Sequence, residues 1–529
     1  MGILTKIDNW LNSEPKKPEV SAEAFGNGSY VNTYAISFNG AKNLGEIGPI
    51  IKYKIDYNGL RLRSWQALIE SEVVQTVIGK YCIWVIGSGL KLTSEPANDV
   101  LLSEGITLDK LAFSKAVEQR FNLYKSSRFS DFSNMENLDS LANTAFLNSI
   151  VGGDVLVVLR YDGKNVTTQL IDGEHIQSPT LGTEYYPQEL ENGNQLINGI
   201  EVNSKKQHIR YHIRQADYSF KTIEAIGKTN GLQMAFLVKG LDYRLDNIRG
   251  IPLISAVLEK LKKMERYESA TLSSAEEAAK IAYQIVHSKN STGESPLTKS
   301  LVQASNFDER NSDLPIDSTG NALANTIAAS TNKQVFNMGI DSELKILENK
   351  NPLYYKEYYD TNIVAVCAAL GIPYQVAMSL YEGNFSASRA ALKDWENTLS
   401  VARKKFGNKF YQPVFNFWLE VEILNNKIQA EGYLTAKLKE NDMAIEAFRK
   451  CRFVGASVPH IDPLKEVKAV REALGDSSKE MPLITLEQAT EQLNGSESED
   501  NVIQFAAELE TSRTLKITPI PETKLKPVK

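Results

Sequence analysis

The chain has 529 residues and a net charge of −6, from 59 basic and 65 acidic side chains; 42% of it is hydrophobic and 23% charged. These values sit near globular averages, which excludes a fibrous repeat or a wholly disordered chain. A mildly acidic total also excludes a protein that coats nucleic acid by bulk charge. The three scattered cysteines, Cys82, Cys367 and Cys451, offer neither a disulfide framework nor zinc spacing, and they fit a reducing compartment. At about 150 residues per domain the length suggests three or four structural units. The most apolar run, Val73 to Leu92, is interrupted by Lys80, Gly79, Gly87 and Gly89, so no membrane span is expected. Met1 to Glu14 is amphipathic and lacks an apolar secretory core, so an intracellular origin is expected.

The first 50 residues are rich in Gly, Ser and Asn and read as an extended arm. Apolar positions at helical spacing predict one helix over Ser64 to Val85, closed by Gly87 and Gly89. Further helices are expected over Leu108 to Tyr124 and Met135 to Ile150, the latter stopped by Gly152-Gly153. The period then changes. Asp154 to Tyr161 and Val166 to Ile171 read as strands joined by an Asp162-Gly163 turn. More strands are expected over Gln195 to Val202, Gln207 to Arg214 and Gln233 to Val238. Pro252 opens a helix of about 35 residues, roughly 50 Å long. Its expected buried stripe is Ile254, Leu258, Leu261, Met264, Ala270, Ala275, Ala279 and Ala282. Ser288 to Asn351 reads as a small, exposed, partly β insertion, and Tyr354 to Leu370 as a helix broken by Gly371-Ile372-Pro373. After the loop Leu380 to Phe385 a long helix is expected from about Ser386 to Ile423, kinked by Pro413, with more helix from Glu440 onward. The last residues, acidic and then rich in Pro and Lys, are expected to be a disordered tail.

A search for catalytic chemistry is mostly negative. Gly227-Lys228-Thr229 lacks the first glycine of a phosphate loop, since Thr222 stands there. No GxSxG or HExxH occurs. His208 and His212 are four apart on a strand, about 13 Å, too far to share a metal. Asp172-Gly173-Glu174-His175 follows a strand and reads as a turn, and Glu276-Glu277 as a solvated helix face. No catalytic residue, metal site or cofactor is assigned. Charge is more telling. Ser386 to Gln412 carries Arg389, Lys393, Arg403, Lys404, Lys405 and Lys409 against Asp394 and Glu396, with Trp395, Phe406, Phe410 and Tyr411 interleaved. That pattern suits a nucleic-acid surface, or an amphipathic helix with buried aromatics and a solvated basic face.

The order of elements and several local motifs resemble the lambda-type portal proteins of tailed bacteriophages. Val73 to Gly79 with Gly87-Ser88-Gly89-Leu90 looks like the family's early helix and glycine turn. Gly152 to Val157 looks like its glycine-acidic strand opening, and Arg249-Gly250-Ile251-Pro252-Leu253 is similar to the motif that opens its long helix. Asn384 to Leu392 resembles its aromatic-S-x-x-R-A-A-L run, and Cys451 to Gly455 with Ile461 to Glu466 its C-terminal pair. The arginine-rich approach to the first helix is represented by Arg61 and Arg63 alone. The likeness covers about residues 60 to 475.

The resemblance implies an α+β portal fold. Its parts are an N-terminal arm (1–30), an α/β wing (31–250), a first stem helix (251–288) and a clip (289–351). A second stem helix (352–379), a tunnel loop (380–387), a long wing helix (388–440), a helical crown (441–495) and the tail (496–529) follow. It implies a ring, normally a dodecamer, at one capsid vertex, which passes double-stranded DNA during packaging and ejection. The implied partners are the terminase large subunit, head-completion or adaptor proteins, and major capsid and scaffold proteins, without a membrane. The implied location is the virion, with host cytoplasm during assembly. The tunnel-loop position implies channel contacts by Tyr381, Glu382, Gly383, Asn384, Phe385, Ser386, Arg389 and Lys393. The alternatives are a capsid or connector protein without a channel, and a packaging enzyme, which the missing phosphate loop disfavours.

Overall fold

The computed structural model describes residues 57–179, 188–228, 231–242, 247–285, 326–329, 333–337, 355–380, 385–456, 463–475 and 482–494. It adds two short strands, β1 (Ser37–Phe38) and β2 (Ala41–Lys42), and a few helical positions from 498 to 509. The expected arm and most of the tail lie outside the described residues. The chain divides into two compact units, one of Met1–Leu258 with Cys367–Lys529, the other of Glu259–Val366. Among the described residues no helix is long and apolar enough to cross a membrane.

The larger unit begins with α1 (Tyr57–Glu70) and α2 (Glu72–Val85). One helix was expected here. Ser71 splits it, because its extended backbone and a side-chain oxygen that accepts from Val74 N cap a new helix. Gly87 and Gly89 take positive φ and turn the chain into β3 (Lys91–Ser94). Helices α3 (Asn98–Ser103), α4 (Lys110–Ser126) and α5 (Leu138–Val151) follow, α4 and α5 capped by Asp109 and Asn137. Then β4 (Asp154–Tyr161) and β5 (Val166–Asp172) form the expected hairpin, and β11 (Ala235–Lys239) pairs antiparallel with the other edge of β4. β4 is buried from Asp154 to Leu159, as the central strand of a covered sheet must be.

A second, five-stranded antiparallel meander is made by β6 (Gln188–Glu189), β7 (Gln195–Ile197), β8 (Ile200–Val202), β9 (His208–Arg214) and β10 (Phe220–Glu224). The run expected as one strand over Gln195 to Val202 is a hairpin, because Asn198 and Gly199 both take positive φ. β10 was not anticipated; its exposed polar side chains give little apolar signal. Leu156, Val158, Tyr211, Ile213 and Ile248 share one core between the two sheets.

Late segments complete this unit. α8 (Tyr374–Met378) precedes residues 381–384, which lie outside the described set. α9 (Phe385–Phe406) then runs into a π-helical turn, Gly407–Tyr411, and α10 (Gln412–Leu424). The break expected at Pro413 falls one turn earlier, and the proline sits at the start of α10, where its missing N–H costs nothing. The long wing helix expected over 388–440 is therefore three segments, ending at Leu424 before α11 (Tyr433–Leu438). The C-terminal part is not all helix. α12 (Asp442–Arg449) leads to β15 (Cys451–Val454), which pairs with β3 and ties late chain to early chain, before α13 (Pro463–Leu474) and α14 (Leu486–Asn494).

The smaller unit holds most of α6 (Leu258–Lys280) and α7 (Tyr355–Ala369), with β12 (Ile281–Ile285), β13 (Thr326–Ala329) and β14 (Lys333–Asn337). The helix expected over 251–288 is shorter. A 3-10 turn, Leu253–Ala256, precedes 23 residues of α-helix, and Ile281–Ile285, with two isoleucines and a tyrosine, becomes β12. β14 is central, parallel to β12 and antiparallel to β13. Tyr267 stacks on Tyr355 at 5.9 Å and meets Tyr358 at 4.4 Å, which joins α6 to α7. The expected buried stripe of α6 stops early. Ile254, Leu258 and Met264 are buried, Leu261 is half-buried, but Ala270 and Ala275 are exposed. The side chains of Ala279 and Ala282 lie outside the described residues. Most of the insertion lies outside them too.

Candidate functional site

Two sequence motifs and an isolated arginine meet in one buried cluster. Gly153-Asp154 opens β4, Arg249-Gly250 leads to the 3-10 turn, and Arg61 comes from α1. Arg249 donates to Asp154 through Nε to Oδ2 (2.6 Å) and Nη2 to Oδ1 (2.7 Å), a bidentate fork. Arg61 Nη2 donates to Oδ1 at 2.5 Å, and Gly250 N to Oδ2 at 3.0 Å. Arg249 also donates to the carbonyls of Gly173 and Ile176, at 2.7 and 3.0 Å. The half-exposed Asp172, 3.6 Å from Arg61, makes the group two cations and two anions. The three central side chains are at most 4% exposed. Burial alone would push the Asp154 carboxyl up; the charge and hydrogen bonds of Arg249, then the charge of Arg61, overcome it and hold the carboxyl well below its usual range.

The glycines follow from this packing. Gly153 has φ +95°, and a Cβ there would lie 2.8 Å from Gly250 O and 2.9 Å from Pro252 Cδ. A Cβ on Gly173 would collide with Asp154 and Arg61. The Asp172-Gly173-Glu174-His175 segment is the expected turn, a 3-10 turn in which Asp172 accepts from Glu174 N. The charges at the centre of this cluster are paired and buried, although Arg61 Nε and Nη1 have no hydrogen-bond partner among the described residues. Its chemistry is to pin α1, β4 and the approach to α6 at one point.

The expected channel loop has a built root. Ser379 ends α8 in the left-handed region (φ +55°), and Leu380 N donates to Gln375 O at 3.1 Å. Tyr381, Glu382, Gly383 and Asn384 lie outside the described residues. Phe385 and Ser386 belong to helix α9, so the loop is shorter than expected; the alanines and leucine from Ala387 to Leu392 favour helix from its first turn. The side chains of Phe385, Ser386 and Arg389 lie outside the described residues. Both flanks, α8 and α9, pack on α2. On α9, Trp395 and Leu399 are buried, as are Phe406, Phe410 and Tyr411 farther on.

Most of the described basic charge of this region is used within the chain. Lys393 Nζ pairs with Glu396 at 2.6 Å. Arg403 donates to the carbonyls of Trp84 (2.8 Å) and Val85 (3.3 Å), capping the C-terminal end of α2. Lys409 is half-buried 3.9 Å from Asp242. Burial, then the neighbouring Lys405, lowers the Lys409 ammonium from its ordinary value. The amphipathic-helix reading with a buried aromatic stripe is the one this geometry supports. Of the two strand histidines, His208 is held by Tyr211 (Nδ1 to OH 3.0 Å), and burial lowers its pKa to about 4. Among the described residues no group of His, Cys, Asp and Glu could hold a metal ion.

Reading the sequence missed the partnership of Arg61, Asp154 and Arg249. Each stood in a motif, but nothing along the chain says that positions 93 and 95 residues apart meet. It also missed the β3–β15 pairing that gives Cys451 to Val454 its place.

Comparison with known proteins adds the family. A model of the lambda family of phage portal proteins matches residues 52–403, two-thirds of the chain. Among solved structures, one described as "Neck of native GTA particle computed with C12 symmetry" is similar over 79% of this chain and 99% of that one, at 9% identity and a TM-score of 0.32. No curated protein sequence matches. The family match takes in α1, the cluster around Asp154, both helices of the smaller unit and the loop root, and the chain belongs to the lambda family of phage portal proteins.

Proposed function

We propose that this portal protein assembles into a ring, a dodecamer, at one vertex of the virion capsid and conducts double-stranded DNA during packaging and ejection. It acts as a structural part rather than an enzyme. The terminase large subunit docks on it during packaging, head-completion proteins bind later, and it nucleates assembly with capsid and scaffold proteins in the host cytoplasm. The observation that carries the ring is the bare face of α6. Beyond Met264, Leu272 is 59% exposed with the exposed Ala275 three residues on beside it, an apolar patch that is uncovered among the described residues. A neighbouring copy would bury it, and small side chains allow close helix approach. Light scattering with negative-stain imaging tests this: rings with a central hole are expected, and a monodisperse monomer at micromolar concentration would refute it.

In this reading residues 31–250 and 388–440 form the wing, 251–288 and 352–379 the stem, 289–351 a clip that meets the motor, and 441–495 the crown. The loop Tyr381–Asn384 faces the passing DNA, with Phe385, Ser386, Arg389 and Lys393 at its root. A conduit must not grip. Each fixed cation on a phosphate adds salt-sensitive affinity, a brake on movement. A loop with one acid, Glu382, and a Lys393 already paired with Glu396 suits sliding. Arg389→Ala is expected to impair DNA packaging while rings still form; normal yields of full-length packaged DNA would remove the loop root from the mechanism.

A further inference from the structure

A cavity of about 130 Å³ lies within the larger unit, between α2, α5, β11 and α9. Much of its wall is aromatic. Tyr81, Phe146 and Phe406 line it, and their rings already meet, Tyr81 with Phe146 at 5.5 Å and Phe146 with Phe406 edge-on at 5.2 Å. Ile150, Leu241 and Leu253 add aliphatic surface. Three lysines stand in the same lining, Lys239 at the end of β11, Lys405 on α9 and Lys409 in the π-turn. Lys405 is exposed and the other two are half-buried, so the charged side of the cavity is the side that meets solvent. Among the described residues Asp242 is the one carboxylate within ion-pair distance, 4.0 Å from Lys239 and 3.9 Å from Lys409. Lys239 also donates to Asn247 O at 3.0 Å. Three cations against one anion leave a local excess of +2 in a chain of net charge −6. Burial lowers both Lys239 and Lys409 from their ordinary values, so their like charges are held together against a cost that a bound anion would relieve.

Volume and charge together define a ligand. An apolar cavity of about 150 Å³ holds benzene, so this one takes a single ring and little more. The aromatic wall offers that ring edge and face contacts. The lysines call for a negative group on the ring's solvent side, and their ammoniums are compact point charges that accept any oxyanion. With the ring filling most of the volume, a carboxylate, the smallest of the common oxyanions, fits best.

We propose that this cavity binds a small aromatic carboxylate, its ring against Tyr81, Phe146 and Phe406 and its carboxylate on Lys239, Lys405 and Lys409. Such a ligand would touch α2, α5, β11 and α9 at once and brace the late helix against the sheet. Calorimetric titration of the full-length protein with benzoate tests it. Benzyl alcohol, which keeps the ring without the charge, and acetate, which keeps the charge without the ring, are titrated beside it. Benzoate is expected to bind saturably, one per chain, and each of the other two at least about tenfold more weakly, the effect of losing one charge-assisted hydrogen bond or one buried ring. Lys405→Met, a change at an exposed position that leaves the fold intact, should weaken benzoate about tenfold and leave benzyl alcohol unchanged. Ala402→Leu sets a larger apolar side chain in the lining and should abolish benzoate binding with all three lysines in place. The ligand series needs no variant, so it decides even where Ala402→Leu fails to fold. Absence of saturable benzoate binding overturns the proposal. So does benzoate no tighter than acetate, which removes the cavity, or no tighter than benzyl alcohol or undiminished in Lys405→Met, which removes the lysines. Benzoate bound equally well by a folded Ala402→Leu places the ligand elsewhere and overturns it too.

Discussion

Asp154 sits where removal of one group weakens the pairing of two others. Truncating it leaves the buried Arg249 guanidinium with only carbonyl partners, and Arg61 with the half-exposed Asp172, 3.6 Å away, as its counter-charge. Asp154→Ala is expected to destabilise the larger unit by about 3–5 kcal/mol, read as a lower urea midpoint. Replacing all three residues with apolar ones of similar volume should cost much less, since the desolvation of the charges disappears with them. His208 gives a separate acid response. Its ring is neutral when folded, with a pKa lowered by burial from 6.5 to about 4, whereas the unfolded ring takes a proton below about 6.5. The unfolded state therefore binds more protons in that window, and stability is lost as pH falls from 6.5 to about 4. His208→Gln should flatten the stability–pH curve there by about 1–2 kcal/mol. It should leave untouched the loss at lower pH, where Asp154, whose folded pKa is depressed, begins to take a proton.

At the scale of elements, the π-turn Gly407–Tyr411 is the joint of the late helices. The extra residue it accommodates turns Phe410 and Tyr411 inward, both fully buried. Tyr411 donates its hydroxyl to Asp139 Oδ1 at 3.0 Å and accepts from Leu90 N at 3.4 Å, and its ring stacks on Phe453 of β15 at 5.3 Å. One side chain thus joins the glycine turn after α2, the start of α5 and the β3–β15 sheet. Tyr411→Phe keeps the ring but leaves a partly buried carboxylate with Lys125, 3.4 Å away, as its remaining described partner. A loss of about 1–3 kcal/mol is expected, with an unchanged denaturant slope because the buried area is kept. A larger effect with a changed slope would mean that the π-turn itself depends on the hydroxyl.

At the scale of the whole molecule, the ring reading makes a demand on α6. Leu272 projects to solvent in a single chain, so changing it cannot empty a core. Leu272→Glu places a charge on the surface proposed to meet a neighbour, where twelvefold repetition would multiply the cost. The expected result is a folded chain with unaltered thermal unfolding that no longer forms rings on native mass analysis. Intact rings from that variant would move the subunit contact away from this face of α6.

What the sequence determined was local. The 3.6- and 2-residue periods, the Ser, Asp and Asn caps, the Asp162-Gly163 turn and the glycines after α2 and α5 are short-range signals, and they place most helices and the β4–β5 hairpin. The motifs Gly152 to Val157 and Arg249 to Leu253 were visible as residues. Their meaning was not, because the fork between Arg249 and Asp154 exists only when two chain segments 95 residues apart are folded together. The same holds for the limits of α6, where β12 pairs with a strand about 50 residues on and wins the chain after Lys280 from the helix. It holds for the basic run of α9, whose charge looked available until tertiary structure set Arg403 on the carbonyls that end α2 and Lys409 beside Asp242. Local propensity and spacing act over a few residues, so the sequence decides them. Burial, pairing of charges and strand order depend on which distant surfaces exclude water together, and only the fold decides that.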